Sequence, residues 1–344
     1  MEMLGKYQPI TALSNKDAGS CRWCYAVRGG QTYFIKEFLE PKYPEGDNAS
    51  SPESRQKKLQ KCMRFEQKKT RVYRTINENS DGIAVRITDF FRVGAKYYVA
   101  MPKISGISME AEDVVSLPDR VRRTICAVVT HAVAQLHRGG FIHADIKHSN
   151  VMIMYAPSGQ LTAKLIDYDA GYFEDDPPTH PEEIGGDQVY FAPEVFLAIQ
   201  GMSVALTRSL DVFSLGILLH QYLTGTLPAF DMEQFSCVGE AVAYGSPIAV
   251  SGAMSDDLYP VICQMLSPDP AARPTAMEVY ETLIAPLRVC STPVSTPAPY
   301  TTAAPAAGYA AAPAAPVYGT EPPGGSVFVG DAPAREGWQG LGDL

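Results

Sequence analysis

Two periodicities divide the chain. Up to about residue 104, short β-branched or aromatic runs alternate with polar positions. "YQPITAL", "RWCYAV", "TYFIKEF", "GIAVRITDFF" and "KYYVAMPK" each have the length and spacing of a strand. "RGGQ" joins the second run to the third and reads as a hairpin turn, because paired glycines accept the positive φ that a tight turn demands. One helix is expected among the strands, at about Glu53 to Asn77. From about Leu117 the spacing becomes helical: "DRVRRTICAVVTHAVAQLHRGG" repeats its apolar positions every three or four residues and stops on Gly139 and Gly140. Further helices are expected around 209–224, 255–266 and 275–286.

After about Arg288 the patterning ends. "STPVSTPAPYTTAAPAAGYAAAPAAPVYGTEPPGG" is built of Pro, Ala, Gly and Thr, which bury too little to offset the entropy of ordering. The chain therefore reads as a strand-rich part at 1–104, a helical part at 105–288 and a disordered tail at 289–344, in the α+β class.

Composition narrows the choice. Hydrophobic residues make up 46% and charged residues 19% of the 344, as in ordinary globular proteins. A net charge of −9 argues against a sequence-independent hold on nucleic acid or an anionic membrane. The basic cluster "SRQKKLQK…EQKKTRVYR" reads as a solvated helix face. Seven scattered cysteines suggest a reducing compartment, and the lone Cys21-x-x-Cys24 pair reads as two strand residues, not a zinc site. With neither a secretory n-region nor a run of about 18 apolar residues, a cytoplasmic protein is expected.

The chemistry concentrates in "FIHADIKHSNVMI". His143, Asp145, Lys147 and Asn150 between apolar flanks would each cost a few kcal/mol if buried without partners, so the segment reads as a working loop. Transfer of a phosphoryl group needs a base that positions a hydroxyl, oxygen ligands for a metal ion and cations on the phosphates. These residue types supply all three.

"HADIKHSN" resembles the catalytic loop H-R-D-x-x-x-x-N of protein kinases, with Ala144 in place of Arg. "LIDYDAG" resembles the D-F-G segment, "GDQVYFAPEV" carries A-P-E, "SLDVFSLG" is similar to the D-x-W-S-x-G helix, and "LSPDPAARPTA" supplies Arg273. Five such motifs in this order identify the chain as a member of the protein kinase superfamily, with a likeness to bacterial eukaryotic-like serine/threonine kinases. The resemblance covers about residues 7–287 and implies a two-lobed fold, with a β-rich N-lobe carrying one main helix and a mainly α-helical C-lobe.

The same resemblance assigns roles. Asp145 would orient or deprotonate the acceptor hydroxyl, and Lys147 would sit on the transferred phosphate. Asn150 and Asp167 would hold Mg²⁺ or Mn²⁺, and Lys36 of "YFIK" would touch the phosphates of ATP. Glu66 would pair with Lys36, since Leu59, Cys62, Met63, Thr70 and Tyr73 lie three, four or seven residues from it and give it a core-facing stripe; Glu53 is the alternative. Met101 would be the gatekeeper, with Pro102, Lys103 and Ile104 linking the lobes. Because Pro102 has no N–H, it would offer adenine its carbonyl beside a neighbouring N–H. Met152 would form the apolar floor under adenine or simply pack between lobes. Asp211 would tie down the catalytic-loop backbone, and Glu194 would pair with Arg273. Lys147, A-P-E and Arg273 together imply serine or threonine hydroxyls of protein substrates.

The full set of Lys36, Asp145, Lys147, Asn150 and Asp167 implies an active serine/threonine protein kinase, while the phosphate loop, the bulk around adenine and Asp169 support the alternative, a pseudokinase acting as a nucleotide-binding or scaffolding module. The phosphate loop "NKDAGSCRW" has only Gly19, with Lys16, Ala18 and Cys21 near the other glycine positions. Trp23 and Phe34 fall where small residues cover adenine, although a shift of one residue in register would turn them outward. Asp169 replaces the D-F-G glycine. Ala144 leaves no Arg to read an activation-segment phosphate, and Thr179 is the only Ser or Thr between Asp169 and Ala192. Ser291, Thr292, Ser295, Thr296, Thr301 and Thr302 in the tail are candidate self-phosphorylation sites, and Trp338 and Leu341 suggest a docking partner; a plain solubilising spacer is the alternative.

Overall fold

The computed structural model describes residues 2–16, 21–45, 51–79 and 82–289. The phosphate-loop positions Ala18 and Gly19 and the tail sites beyond Val289 lie outside the described residues, as does a second unit, Val294–Leu344.

β1 (Gln8–Pro9), β2 (Cys21–Arg28) and β3 (Gln31–Phe38) start a five-stranded antiparallel sheet. The expected hairpin joins β2 to β3: Arg28 faces Gln31 across Gly29 and Gly30, both at positive φ, +58° and +77°. After α1 (Pro52–Asn79), β4 (Asp89–Val93) and β5 (Lys96–Pro102) complete the sheet in the order β1-β2-β3-β5-β4. Alternation along β2, β3 and β5 gives the sheet two apolar faces. Cys24, Ala26, Ile35, Tyr98 and Ala100 pack with Tyr7 on one of them. The other looks toward α1 and the helical part.

"GIAVRITDFF" is not one strand, as its pattern suggested. Only its end, from Asp89, joins the sheet, while Ala84 bridges Leu165 in parallel and Val85 N donates to Leu165 O at 3.2 Å. Its apolar residues are thus spent on joining the two parts of the molecule, a use that alternation alone cannot distinguish from sheet pairing.

The helical part follows as α2 (Ala111–Val114) and α3 (Asp119–Arg138), then β6 (Phe141–Ile142), β7 (Val151–Tyr155), β8 (Leu161–Leu165) and β9 (Tyr172–Phe173). Next come α4 (Pro193–Ile199), α5 (Ser209–Thr224), α6 (Val238–Ala243), α7 (Tyr259–Met265) and α8 (Ala276–Val289). α3 stops where predicted, with Gly140 at φ +70°. α5 is buried from Leu210 to Leu223 and stops on Gly225, φ +79°. The side chains of α3 and α5 join those of α1, β7 and β8 in one continuous core. β6 pairs with β9, the β7–β8 hairpin lies between them in the chain, and the loops after β6 and β8 carry the candidate site.

Candidate active site

Asp211, on the buried helix α5, organises the loop after β6. Its Oδ2 accepts from His143 N at 2.8 Å, its Oδ1 from Ala144 N at 2.8 Å, and His137 Nε2 lies 2.9 Å from Oδ2. Ala144 stands at φ +60°, a conformation costing an L-residue roughly 1–2 kcal/mol. The two hydrogen bonds to a buried carboxylate hold the loop there against that strain. His143 Nδ1 accepts from Asp145 N at 3.3 Å, so its proton is on Nε2, 3.2 Å from Ile166 O. That contact ties the loop to the segment containing Asp167.

The geometry around Asp145 is asymmetric. Asn150 Nδ2 donates to both Asp145 O and Asp145 Oδ2, each at 2.8 Å, which fixes the carboxylate plane. The buried Oδ1 accepts no hydrogen bond among the described residues; its nearest charge is Lys147 Nζ at 3.1 Å. Lys147 also lies 3.6 Å from Asp187 of the segment before A-P-E. A carboxylate braced through one oxygen, with the other facing only the Lys147 ammonium, is suited to take a hydroxyl proton.

Ile166 N donates to Asn150 O at 2.9 Å, and Asp167 follows at φ +59°. Asp167 and the side-chain oxygen of Asn150 are hard oxygen donors of the kind Mg²⁺ takes, so the residues present fit a divalent ion. Tyr168 is buried behind them. Its hydroxyl donates to Leu165 O at 2.7 Å and accepts from Val85 N at 3.1 Å, a pair of bonds that the family's Phe cannot make.

Across the cleft, Lys36 reaches the C-lobe from β3. Its Nζ lies 3.0 and 3.1 Å from the two oxygens of Asp167 and 2.5 Å from Asp169 Oδ2. Burial alone would lower the Lys36 ammonium, but the carboxylates of Asp169 and Asp167 outweigh it and hold it well above its usual range. Asp169 is the mirror case: burial would raise its carboxyl, and Lys69 and Lys36 together hold it far below.

The pairing of Lys36 with Glu66 is corrected. Glu66 Oε1 accepts from Tyr97 OH at 2.6 Å, and the group that α1 sends toward Lys36 is Lys69, with Nζ 2.6 Å from Asp169 Oδ1. Met63 is 57% exposed and Thr70 is exposed, so the stripe assumed for Glu66 is not the buried one. Cys62, Val72, Tyr73 and Ile76 are buried and Phe65 is partly so, at seven, three, four, seven and four residues from Lys69. That spacing marks position 69 as core-facing in the sequence itself, although a lysine there resembles a surface residue. Glu53 is exposed in the first turn of α1 and is no substitute.

Register settles the aromatic residues. Trp23 pairs with Lys36 and Tyr25 with Phe34, so all four side chains share the face from which Lys36 enters the cleft. The Trp23 and Phe34 rings stack with centroids 5.5 Å apart. Phe34 also pairs with Met101 of β5. In the linker, Lys103 N is committed to Thr32 O at 3.0 Å, while its ammonium lies 4.5 Å from the Tyr25 ring centroid. Met152 sits directly under the linker, since a Cβ on Gly106 would come within 2.7 Å of its Cγ. Cys21 and Cys24, three residues apart on a strand, fall in different core clusters on opposite faces. Burial and the nearby Asp169 push the Cys21 thiol up to about 11.

Below the cleft, Arg273 Nη1 and Nη2 meet Glu194 Oε1 and Oε2 at 2.7 and 2.8 Å, a buried two-point pair. The segment between Asp169 and A-P-E is held by carboxylates of its own: Glu174 pairs with Arg208, and Asp175 with Arg71 of α1 at 2.9 Å. Arg71 also lies over the Phe173 ring, 3.6 Å from its centroid. Thr179 N and Oγ1 both donate to Glu183 Oε2.

Comparison with known proteins agrees with this architecture. The chain is similar to the granulovirus kinase PK-1 of Cydia pomonella at a TM-score of 0.55 and 18% identity, over 82% of this chain and 94% of that one. It is 33% identical over 156 residues to the ovarian-specific serine/threonine-protein kinase Lok of Drosophila melanogaster, covering 44% of this chain and 31% of the relative. It is 26% identical over 216 residues to serine/threonine-protein kinase PSK2 of Saccharomyces cerevisiae, covering 61% and 18%. The chain thus spans less than a third of the length of these curated relatives. The family description "Protein kinase domain" matches residues 49–283, beginning after β3 and running to within α8. With more than half its length in that match, the chain belongs to the protein kinase domain family.

Proposed function

We propose that the chain transfers the γ-phosphoryl group of ATP to serine or threonine hydroxyls of proteins, with 1–104 and 105–288 as the two jaws of the cleft. The observation that carries this reading is Asp145, whose Oδ2 is braced by Asn150 and whose buried Oδ1 makes no hydrogen bond among the described residues. Asp145 orients the acceptor hydroxyl and takes its proton, and Lys147 offsets charge on the group in transit. Lys36 binds the phosphates, for which it exchanges its contact with Asp167. Asp167 and Asn150 hold Mg²⁺ or Mn²⁺, which when bound neutralises phosphate charge. The base lies against Phe34 and Trp23 above and Met152 below, with Pro102 O and Ile104 N as its polar contacts, since Lys103 N is already bonded to Thr32.

The names of the relatives support serine/threonine specificity, and the full set of Lys36, Asp145, Lys147, Asn150 and Asp167 weighs against the pseudokinase alternative. The finer likeness to bacterial kinases has no support among these relatives, which come from fly and yeast, or from the viral structure. A cytoplasmic location and a docking role for Trp338 and Leu341 rest on sequence; among the described residues no helix is long and apolar enough to cross a membrane. Purified chain incubated with labelled ATP and Mg²⁺ or Mn²⁺ is expected to label itself or a generic basic protein. Absence of label with either ion, while ATP still raises Tm, would return the reading to a nucleotide-binding module.

A further inference from the structure

Lys69 should be an expensive residue. It is 8% exposed, its Nζ lies 4.9 Å from the Phe38 ring centroid and 5.9 Å from those of Phe65 and Tyr73, and it stands at the centre of the buried stripe of α1. A cation in that place is tolerable only with a carboxylate beside it. The carboxylate is Asp169, which bridges Lys69 through Oδ1 at 2.6 Å and Lys36 through Oδ2 at 2.5 Å. Lys36 alone also touches Asp167. Two lysines and two aspartates therefore balance. With Asp167 given to a metal ion and Lys36 to phosphate, Asp169 would still lie between the two ammonium groups.

We propose that Asp169 and Lys69 are positioning residues for phosphoryl transfer: Asp169 supplies, from the metal-binding segment, the carboxylate that aims Lys36, and Lys69 fastens that carboxylate to α1. The charge arrangement is the inverse of the one the Glu66 expectation assumed. There a helix carboxylate meets the strand lysine directly; here the helix brings a cation, and the anion sits between two ammonium groups. Asp169 thereby does work at a position where the family's glycine has no side chain. It also ties the placement of α1 to that of the Asp167 segment, since the carboxylate that Lys69 meets among the described residues is Asp169. The inference rests on the phosphoryl-transfer reading.

The test is reversal of the charges. Asp169→Ala leaves Lys36 and Lys69 without their shared anion and is expected to lower kcat/KM for ATP about 100-fold, the size of effect that misplacing one group produces. Lys69→Glu alone sets a carboxylate against Asp169 and is expected to lose at least as much. The double variant Lys69→Glu/Asp169→Gly restores one helix carboxylate facing Lys36 and is expected to recover to within about 10-fold of wild type, a gain of about 1.4 kcal/mol or more over the singles. Lys69→Met and Asp169→Asn serve where the charge variants fail to fold. The rise in Tm on adding ATP with Mg²⁺, measured beside the activity, should fall and recover in step with it.

A folded double variant no better than Asp169→Ala, or single variants with wild-type kcat/KM and ATP response, would overturn the proposal. A wild-type chain stabilised by ATP but unable to transfer phosphate would overturn the transfer reading alone, and the ATP-induced shift would then decide the role of Asp169 and Lys69. A chain without either response would overturn both.

Discussion

The floor and the roof of the cleft reach the same kind of site by different means. On the floor, the loop after β6, the Asp167 segment and the Glu194–Arg273 pair follow the family's residue pattern, with Asp211 on the loop backbone, Asn150 on Asp145 and Arg273 on Glu194. On the roof, little is standard. The phosphate loop has one glycine, the strand faces that cover the base carry Trp23 and Phe34, and the helix offers Lys69 in place of a glutamate. The family match itself starts at residue 49, past the first three strands. In the proposed reaction the floor holds the reacting atoms and tolerates little change in geometry. The roof delivers charge and an apolar surface, and more than one set of side chains can supply those.

Four substitutions would break or sharpen this contrast. The largest effect is expected on the floor: Asp145→Asn should lower single-turnover transfer by about 10²–10⁴-fold, with the ATP-induced rise in Tm retained. If the roof alone limited the reaction, the loss would be small. Arg273→Ala, also on the floor but remote from the chemistry, leaves the buried Glu194 without its partner. It should cost about 3–5 kcal/mol and lower Tm by on the order of 10 °C in a calorimetric scan, whether or not ATP is bound.

Tyr168→Phe installs the family's own residue and should nevertheless destabilise by about 0.5–1.5 kcal/mol, because the buried hydroxyl's two bonds are lost while Val85 N keeps its own bond to Leu165 O. Chemical denaturation reads that loss, and kcat should stay near wild type. The smallest effect belongs to Glu66→Gln. The amide still accepts from Tyr97 OH, so activity within about two-fold of wild type and a stability change within about 0.5 kcal/mol are expected. A large loss of activity there would reinstate the direct Lys36–Glu66 pair.

How much of this was legible in the chain follows the same division. Periodicity placed α1, α3, α5 and α8 to within a few residues, and the motif loops named Asp145, Asn150, Asp167 and the Glu194–Arg273 pair, because those roles depend on residues close in sequence or on fixed motifs. Lys69 and Asp169 are 100 residues apart, and no spacing rule joins them. Their relation is electrostatic and appears only when α1 is docked. The face of Trp23 and Phe34 needed the partner strand as well: which of two faces a strand residue occupies is fixed by register, and Trp23 opposite Lys36 decides it. "GIAVRITDFF" misled for a related reason, since its first half pairs across to Leu165 and not within the sheet.

The segment that runs from Phe173 to Asp187 has a further consequence, one of timing. Glu174 and Asp175 meet Arg208 and Arg71 as carboxylates, which carry their charge from the moment the chain folds. Where a phosphate makes such contacts, docking waits for another enzyme to write the charge and ends when a phosphatase erases it. Here the acid is encoded, not written. These two ion pairs therefore need no modifying enzyme to form, and they weaken as salt screens them.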